Sequence, residues 1–386
     1  MLVIFNDLFT KTVEIEIESE RVTLVNFDLN ETQELFKATT ERFARTVDVP
    51  ERTKIREHAM GYDKSRWLEL AELGLLTVAL PEELGGLDGS IIDLSIIAET
   101  FGKNNAIDPW MENGVFPLSL LSQDKTNAVL QELITGSKIA AVAFAEQNMR
   151  YLLKPSTTQA SKTDDGYLLN GEKQLVMGGA MADYLLVTAV FNNEFSLFVI
   201  PTNTTGLTSQ TYRLADGSLA TAIVFNDCRL DKTALTDVSY KQFKNATIEM
   251  SVLCCAEMSG LSQRLLEQTL EYVKGREQFG VAIGSFQVIQ HGLVDCYSRV
   301  EHIKSMLLSL QLHEHASDNQ WQADVMGAKS FISEAAICVA EWAVQYHGAM
   351  GTTDEVCIGH SMKRIITLSR LFGDAAHNLN QYLECA

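Results

Sequence analysis

Over 31–43 and again over 65–76, apolar residues recur at spacings of three and four, which predicts amphipathic helices. The pattern breaks in LPEELGGLDGS (80–90), where Pro81 and the pair Gly85–Gly86 predict a loop. Helical spacing returns over 91–101 and continues over 110–121. Residues 139–230 differ in kind. Short runs rich in Val, Leu, Phe and Thr alternate with turn signals such as Asp164-Asp165-Gly166 and Asp216-Gly217, as strands would. IAAVAFA (139–145) reads as one buried strand, and 167–189 holds two strand-like runs around Gly178–Gly179. From about Gln242 the chain is helical again, with brief glycine interruptions at 280, 284, 348, 351 and 359. Upstream, TVEIEIE (12–18) alternates with period two, as a strand with one wet face would, and carries no assignable role. The layout is mainly α with an inserted β domain: an extension over 1–24, a helical domain over 25–138, a β domain over 139–240 and a helical domain over 241–386.

Composition narrows the partners. The chain has 386 residues, 46% of them hydrophobic, enough for a large core spread over two or three units. A formal net charge of −19 argues against nucleic acid and against an anionic membrane surface. It does not exclude a small anionic ligand, because Lys363, Arg364 and Arg370 gather near the C-terminus and offer local positive charge; they read equally as solvated helix residues. The seven cysteines are odd in number, scattered and without a C-x-x-C pair, which fits reduced thiols rather than a disulfide frame or a zinc site. Cys254 and Cys255 adjoin in a helical pattern and read as core. No leader is visible and no apolar run approaches the ~20 residues that span a bilayer, so a cytoplasmic protein is expected.

Candidate chemistry concentrates in YVKGREQFGVAIGSFQVIQ, from Tyr272 to Gln290, read as two helices and the turn between them. Arg276 carries a planar fork of donors suited to a pyrophosphate. Gln278 and Gln287 add neutral hydrogen-bonding groups, and Phe279 and Phe286 add flat apolar faces. The set could hold a dinucleotide without a glycine-rich loop, or it could be a helix hairpin with packed aromatics and solvated amides.

R-x-Q-F-G (Arg276–Gly280) followed by I-G-x-F-Q-x-x-Q (Ile283–Gln290) resembles the flavin-binding helix pair of the acyl-CoA dehydrogenases. Gln345, His347, Gly348 and Gly351 in VQYHGAMGTTDE resemble that family's Q-x-x-G-G segment, and the loop after Pro81 resembles a P-x-x-x-G-G loop of the same family. GHSMKRIITLSRLFGDAAHNL (359–379) is similar to the branch that holds the small subunit of pimeloyl-CoA dehydrogenase and bacterial dehydrogenases of steroid side chains. The resemblance implies an N-terminal helical domain, a middle β-barrel-like domain and a C-terminal four-helix bundle. It also implies an FAD-dependent oxidoreductase of fatty-acid or steroid side-chain degradation that desaturates an acyl-CoA thioester between Cα and Cβ.

In that reaction a base takes the α-proton while the flavin accepts a hydride, and hydrogen bonds to the thioester carbonyl stabilise the developing enolate. The family's usual base lies in a Y-E-G-T segment, which falls here on Leu371, Phe372, Gly373 and Asp374. The glutamate position is Phe372. The family's alternative position, 26 residues before the motif arginine, is Met250. Glu257, two turns further along the same face, in an apolar stretch and within A-E-x-x-G, is the expected base; Glu249 and Asp374 are the alternatives, and a surface glutamate is the plain reading.

The resemblance divides the flavin contacts. Those reaching a neighbouring subunit's FAD are mostly kept: Arg276, Gln278, Phe279, Gln287, Gln345 and Gly348, with Ala349 in place of one glycine. Those to a subunit's own flavin are altered: T-E-P-G-A-G-S reads AEQNMRY from Ala145, W-I-T reads Leu175, Val176 and Met177, and the T-x-Q segment reads Asp374, Ala375 and Ala376. The leading expectation is an FAD-dependent acyl-CoA dehydrogenase acting on a bulky or dicarboxylic acyl chain, a homo- or hetero-oligomer (dimer or tetramer) that passes electrons to an acceptor protein. A half-site subunit of a heteromeric dehydrogenase and a flavin monooxygenase or oxidase remain as alternatives.

Overall fold

The computed structural model describes residues 28–385 apart from 45–48, 59, 125–127 and 313–317. The 1–24 extension, with its period-two stretch, lies outside the described residues.

The N-terminal helices are α1 (Glu31–Ala44), α2 (Val49–Glu57), α3 (Lys64–Glu72), α4 (Ile91–Asn104), α5 (Phe116–Leu121) and α6 (Val129–Ile134). Asp63 starts α3 by accepting from the Ser65 and Arg66 amides. Ser90 and Asp93 form a capping box on α4, which ends at Asn105 in the left-handed conformation. The expected helix over 110–121 is two pieces: a π-helical turn, Trp110–Val115, and then α5. Every residue of the π turn is buried, and such turns recur at functional sites.

The β domain is one seven-stranded sheet. Its path runs β1 (Ala140–Ala143), β4 (Tyr184–Phe191), β2 (Gln159–Lys162), β3 (Gly166–Met177), β7 (Leu219–Asp231) and β6 (Leu207–Arg213), with β5 (Glu194–Pro201) on the other edge of β4. β1 and β2 both run parallel to β4, and the other pairs are antiparallel. A register shift between Lys173 and Val176 puts Leu175 at φ +52.

A carboxylate organises the loop between β1 and β2. Glu146 accepts from the amides of Ser156, Thr157 and Thr158 and from Nζ of Lys173 at 2.8 Å. Both members of this ion pair are buried, at 0% and 1% exposure, and Lys173 also donates to the Thr188 hydroxyl. Burial alone would raise Glu146, yet the Lys173 ammonium and the amides outweigh it and hold the carboxyl far below the usual range.

The C-terminal part is helical except at one point. α7 (Tyr240–Gly275), capped by Ser239 and Gln242, is buried on every face from Met250 to Ser262, which is how an all-round apolar helix must sit. α8 (Gln287–Leu312), α9 (Asp318–His347), α10 (Cys357–Arg370) and α11 (Ala375–Cys385) complete the domain, with α9 against all four of the others. Between α7 and α8 the chain forms a two-stranded hairpin, β8 (Glu277–Gln278) and β9 (Val281–Ala282), instead of a simple turn. Phe279 and Gly280 are its two central residues and both have positive φ, +55 and +80, as a type I′ turn requires.

α4 and α7 touch backbone to backbone. A Cβ added at Gly260 would lie 2.0 Å from the Glu99 carbonyl oxygen, and one at Gly102 would lie 2.1 Å from that of Glu257. Gly260→Ala should therefore cost about 1–3 kcal/mol by forcing the helices apart, read as a fall in the denaturant midpoint; an unchanged midpoint would show that the contact is slack. Glu146 supplies the second expectation. Its folded pKa is depressed, so its stabilisation is complete above the ordinary carboxylate range and is lost progressively as pH falls toward the much lower folded value. The stability gap between wild type and Glu146→Gln should start to narrow below about pH 4 and go on narrowing toward the lowest pH, and a constant gap down to the lowest pH would exclude the linkage.

Candidate functional site

The ends of α7, α8 and α9 meet, and this junction gathers the residues expected to grip a flavin. Tyr272 stacks on His347 with centroids 4.3 Å apart, the Tyr346 hydroxyl lies 3.5 Å from the Ile289 carbonyl, and Gly292 leaves space for that hydroxyl. Arg276, Gln278, Phe279, Gln287, Gln345 and Gly348 are all exposed near this junction. Among the described residues, the Arg276 side chain shows no hydrogen bond or ion pair. Phe279 is 94% exposed, held out at the hairpin tip with only Phe286 beside its ring, at 6.4 Å. A bulky residue at positive φ costs about 1–3 kcal/mol and persists where the surroundings impose it. The arrangement is an arm: a guanidinium, amides and a bare aromatic face presented outward.

The position of the family's usual base faces a different setting. Phe372 stacks on Phe144 at 6.0 Å and 9°, meets Phe116 edge-on at 5.6 Å, and joins Phe243 and Phe195 through these two. The cavity beside it holds ≈ 80 Å³ and is lined by Glu112, Phe116, Phe144, Arg150, Leu175 and Phe372 among others. Three of those, Arg150, Leu175 and Phe372, sit at positive φ without being glycine. Pockets that take drug-sized molecules run to ~300–1,000 Å³, well above this one. Where the family's T-E-P-G-A-G-S and W-I-T segments carry threonine hydroxyls, this chain has Ala145 and Met177.

The three expected carboxylates are accounted for individually. Glu257 is buried and both its oxygens accept from Arg364, at 2.6 Å from Nε and 3.0 Å from Nη2. It lines neither the cavity at Phe372 nor the one described below. In this structure it is an ion-pair member, with an arginine beside it as well as the apolar neighbours. Burial pushes its pKa up and Arg364 pulls it back. Asp374 starts α11, accepting from the His377 amide, which holds it below the usual range and makes it a weak base. Glu249 borders a separate cleft with Ser119 and Trp321.

The sequence reading missed Glu112. On the π turn, it lines the Phe372 cavity, donates nothing, and accepts from Arg364 at 3.0 Å through Oε1. Asp216, in the turn between β6 and β7, lies 3.4 Å from the same guanidinium. Arg364 thus faces three carboxylates from distant parts of the chain. The available signal was a lone acid in the apolar run WMENGVFPLSLL.

Comparison with known proteins identifies the family. The N-terminal, middle and C-terminal domain profiles of acyl-CoA dehydrogenase match residues 30–121, 141–228 and 243–382. The probable acyl-CoA dehydrogenase YngJ of Bacillus subtilis is 27% identical over 350 residues, covering 86% of this chain and 91% of its own. The ChsE4-ChsE5 complex from Mycobacterium tuberculosis superposes with a TM-score of 0.85 over 93% of this chain and 98% of that one, at 22% identity. PigA, solved with FAD and proline, gives 0.83 over 93% and 98%, at 25% identity. No described helix is long and apolar enough to cross a membrane. The three matched domains, in order and over most of the length, establish that this chain belongs to the acyl-CoA dehydrogenase family of FAD-dependent oxidoreductases.

Proposed function

We propose that this chain serves FAD-dependent α,β-dehydrogenation of an acyl-CoA thioester as the subunit that completes a neighbouring chain's flavin site. The carrying observation is the contrast between its two ends. The arm of Arg276, Gln278 and Phe279 is exposed, while the position of the usual base is an aromatic side chain stacked into a closed cluster. On this reading Arg276 pairs with the pyrophosphate of the neighbour's FAD, Gln278, Gln287 and Gln345 donate to its polar edge, and Phe279 covers its apolar face. Gly348, at φ +62 with open space around it, lets that backbone approach closely. When bound, FAD supplies the hydride acceptor.

The bulky or dicarboxylic acyl group expected from the sequence belongs, on this reading, to the neighbouring chain, since ≈ 80 Å³ leaves no space for it here. An acceptor protein that re-oxidises the flavin is part of the same proposal, as is a hetero-oligomer of two or four chains. A self-contained dehydrogenase using Glu257 is the competing reading. Burial raises the Glu257 pKa, which favours proton uptake, but Arg364 would have to release it first.

Expressed alone, the chain should show little flavin absorbance between about 350 and 500 nm, and co-expression with a family member that keeps the base glutamate should restore both flavin and turnover. In that assembly Arg276→Ala should weaken flavin retention roughly 10- to 100-fold, the loss of one charge-assisted contact of ~1.5–3 kcal/mol. A lone chain that retains one FAD and bleaches it with acyl-CoA, and loses this in Glu257→Gln, would transfer the base to Glu257 and end the half-site proposal.

A further inference from the structure

A second cavity, ≈ 50 Å³, lies on the other side of Glu112 from the Phe372 chamber, between the π turn, the strand end at Gly178, the turn at Asp216 and α10. Its lining includes Arg52, Asp108, Glu112, Asn113, Asp216 and Arg364, together with Met60, which is 39% exposed. The charges do not balance. Arg66 is paired with Asp108 at 2.7 Å, and Arg364 serves Glu112, Asp216 and Glu257. Among the described residues, counting Arg52 as well, three cations stand against four carboxylates. Arg52 gives its guanidinium to the backbone carbonyl and side-chain oxygen of Asn105.

Two acceptor atoms mark where the missing charge belongs. Glu112 Oε2 is buried and has no hydrogen-bond partner among the described residues, and neither has Asn113 Oδ1. Glu112 is 6% exposed and Asn113 3%, and both line the cavity. Asn113 has no freedom to turn its amide round, because Nδ2 donates to the Ala140 carbonyl at 2.9 Å. A buried carboxylate oxygen without a donor is costly, and a donor that also carries positive charge answers both the pairing and the charge. Among the described residues no group of three or more His, Cys, Asp or Glu is placed to hold a metal ion. A primary ammonium carries N–H donors for both acceptors, which a quaternary ammonium lacks.

We propose that this cavity is a binding site for a primary ammonium group, the head of a small alkylamine that donates to Glu112 and Asn113. The site is independent of the flavin arm and of which chain carries the base. It has no use for a carboxylate, which would meet the unpartnered Glu112 oxygen at close range.

The test is calorimetric titration of the full chain, in whatever assembly it purifies, with ethylammonium chloride at about pH 7.5. Three controls at matched ionic strength accompany it: trifluoroethylamine, neutral at this pH and of similar shape; tetramethylammonium, charged but without N–H; and sodium. Saturable binding of ethylammonium alone is expected, with at least a tenfold loss in Glu112→Gln. Absence of ethylammonium binding, equal binding of trifluoroethylamine or tetramethylammonium, or an unchanged affinity in folded Glu112→Gln would each overturn the site. Should Glu112→Gln not fold, the wild-type discrimination among the four ligands decides by itself.

Discussion

The guanidinium of Arg364 ties together the three regions of the chain. Its partners come from the π turn before α5, from the turn between β6 and β7, and from the centre of α7. Opposing carboxylates this close would repel one another strongly in a dry interior, and only a shared cation makes their approach tolerable. A buried ion cluster of this kind adds little net stability compared with apolar packing, but removing one member leaves uncompensated charge and costs several kcal/mol. What it fixes is relative placement. The sheet domain can meet the helical core in one arrangement, the one that brings Asp216 to Arg364, and both cavities flank that junction.

The same cluster explains how Glu257 comes to be paired. α7 is buried all round because α4 reaches it through Gly102 and Gly260 on one side and α9 and α10 pack on others. A glutamate at its centre must be neutralised or paired, and Arg364 from α10 does the pairing. The apolar neighbours Leu253, Cys254 and Leu261 suggest a desolvated carboxylate. The arginine, 107 residues away in sequence, is what changes its chemistry.

Much of the architecture was legible because it rests on local periodicity. The helices of 31–43 and 91–101, the loop after Pro81 and the strands around Gly178 appear where apolar spacing and turn residues put them. The departures have tertiary causes. The hairpin at 277–282 has two-residue strands, too short for any alternation to register, and it puts phenylalanine where a left-handed turn would ordinarily choose asparagine or glycine. The π turn at 110–115 has no sequence mark beyond its lone acid. The arm residues could be located through their motif, yet no pattern along the chain reveals that Phe372 and Phe144, 228 positions apart, would stack.

Backbone strain completes the picture of a divided site. Arg150, Leu175 and Phe372 hold left-handed backbone around one small cavity, and Phe279 does so at the arm tip. Such conformations cost free energy that packing alone has no reason to spend, and they accumulate at sites of function. At the cavity the backbone keeps the contour of a ligand site while Phe116, Phe144 and Phe372 fill its interior. At the arm both the strain and a nearly bare phenyl ring face solvent, a pairing that a chain acting alone would gain nothing from. Contact with a second chain's cofactor would offset both at once, because burying the ring recovers apolar area and the fixed turn means that little ordering entropy remains to be lost on docking. The asymmetry between a filled interior and a preorganised exterior is what the proposed subunit, lending its flavin contacts outward, requires.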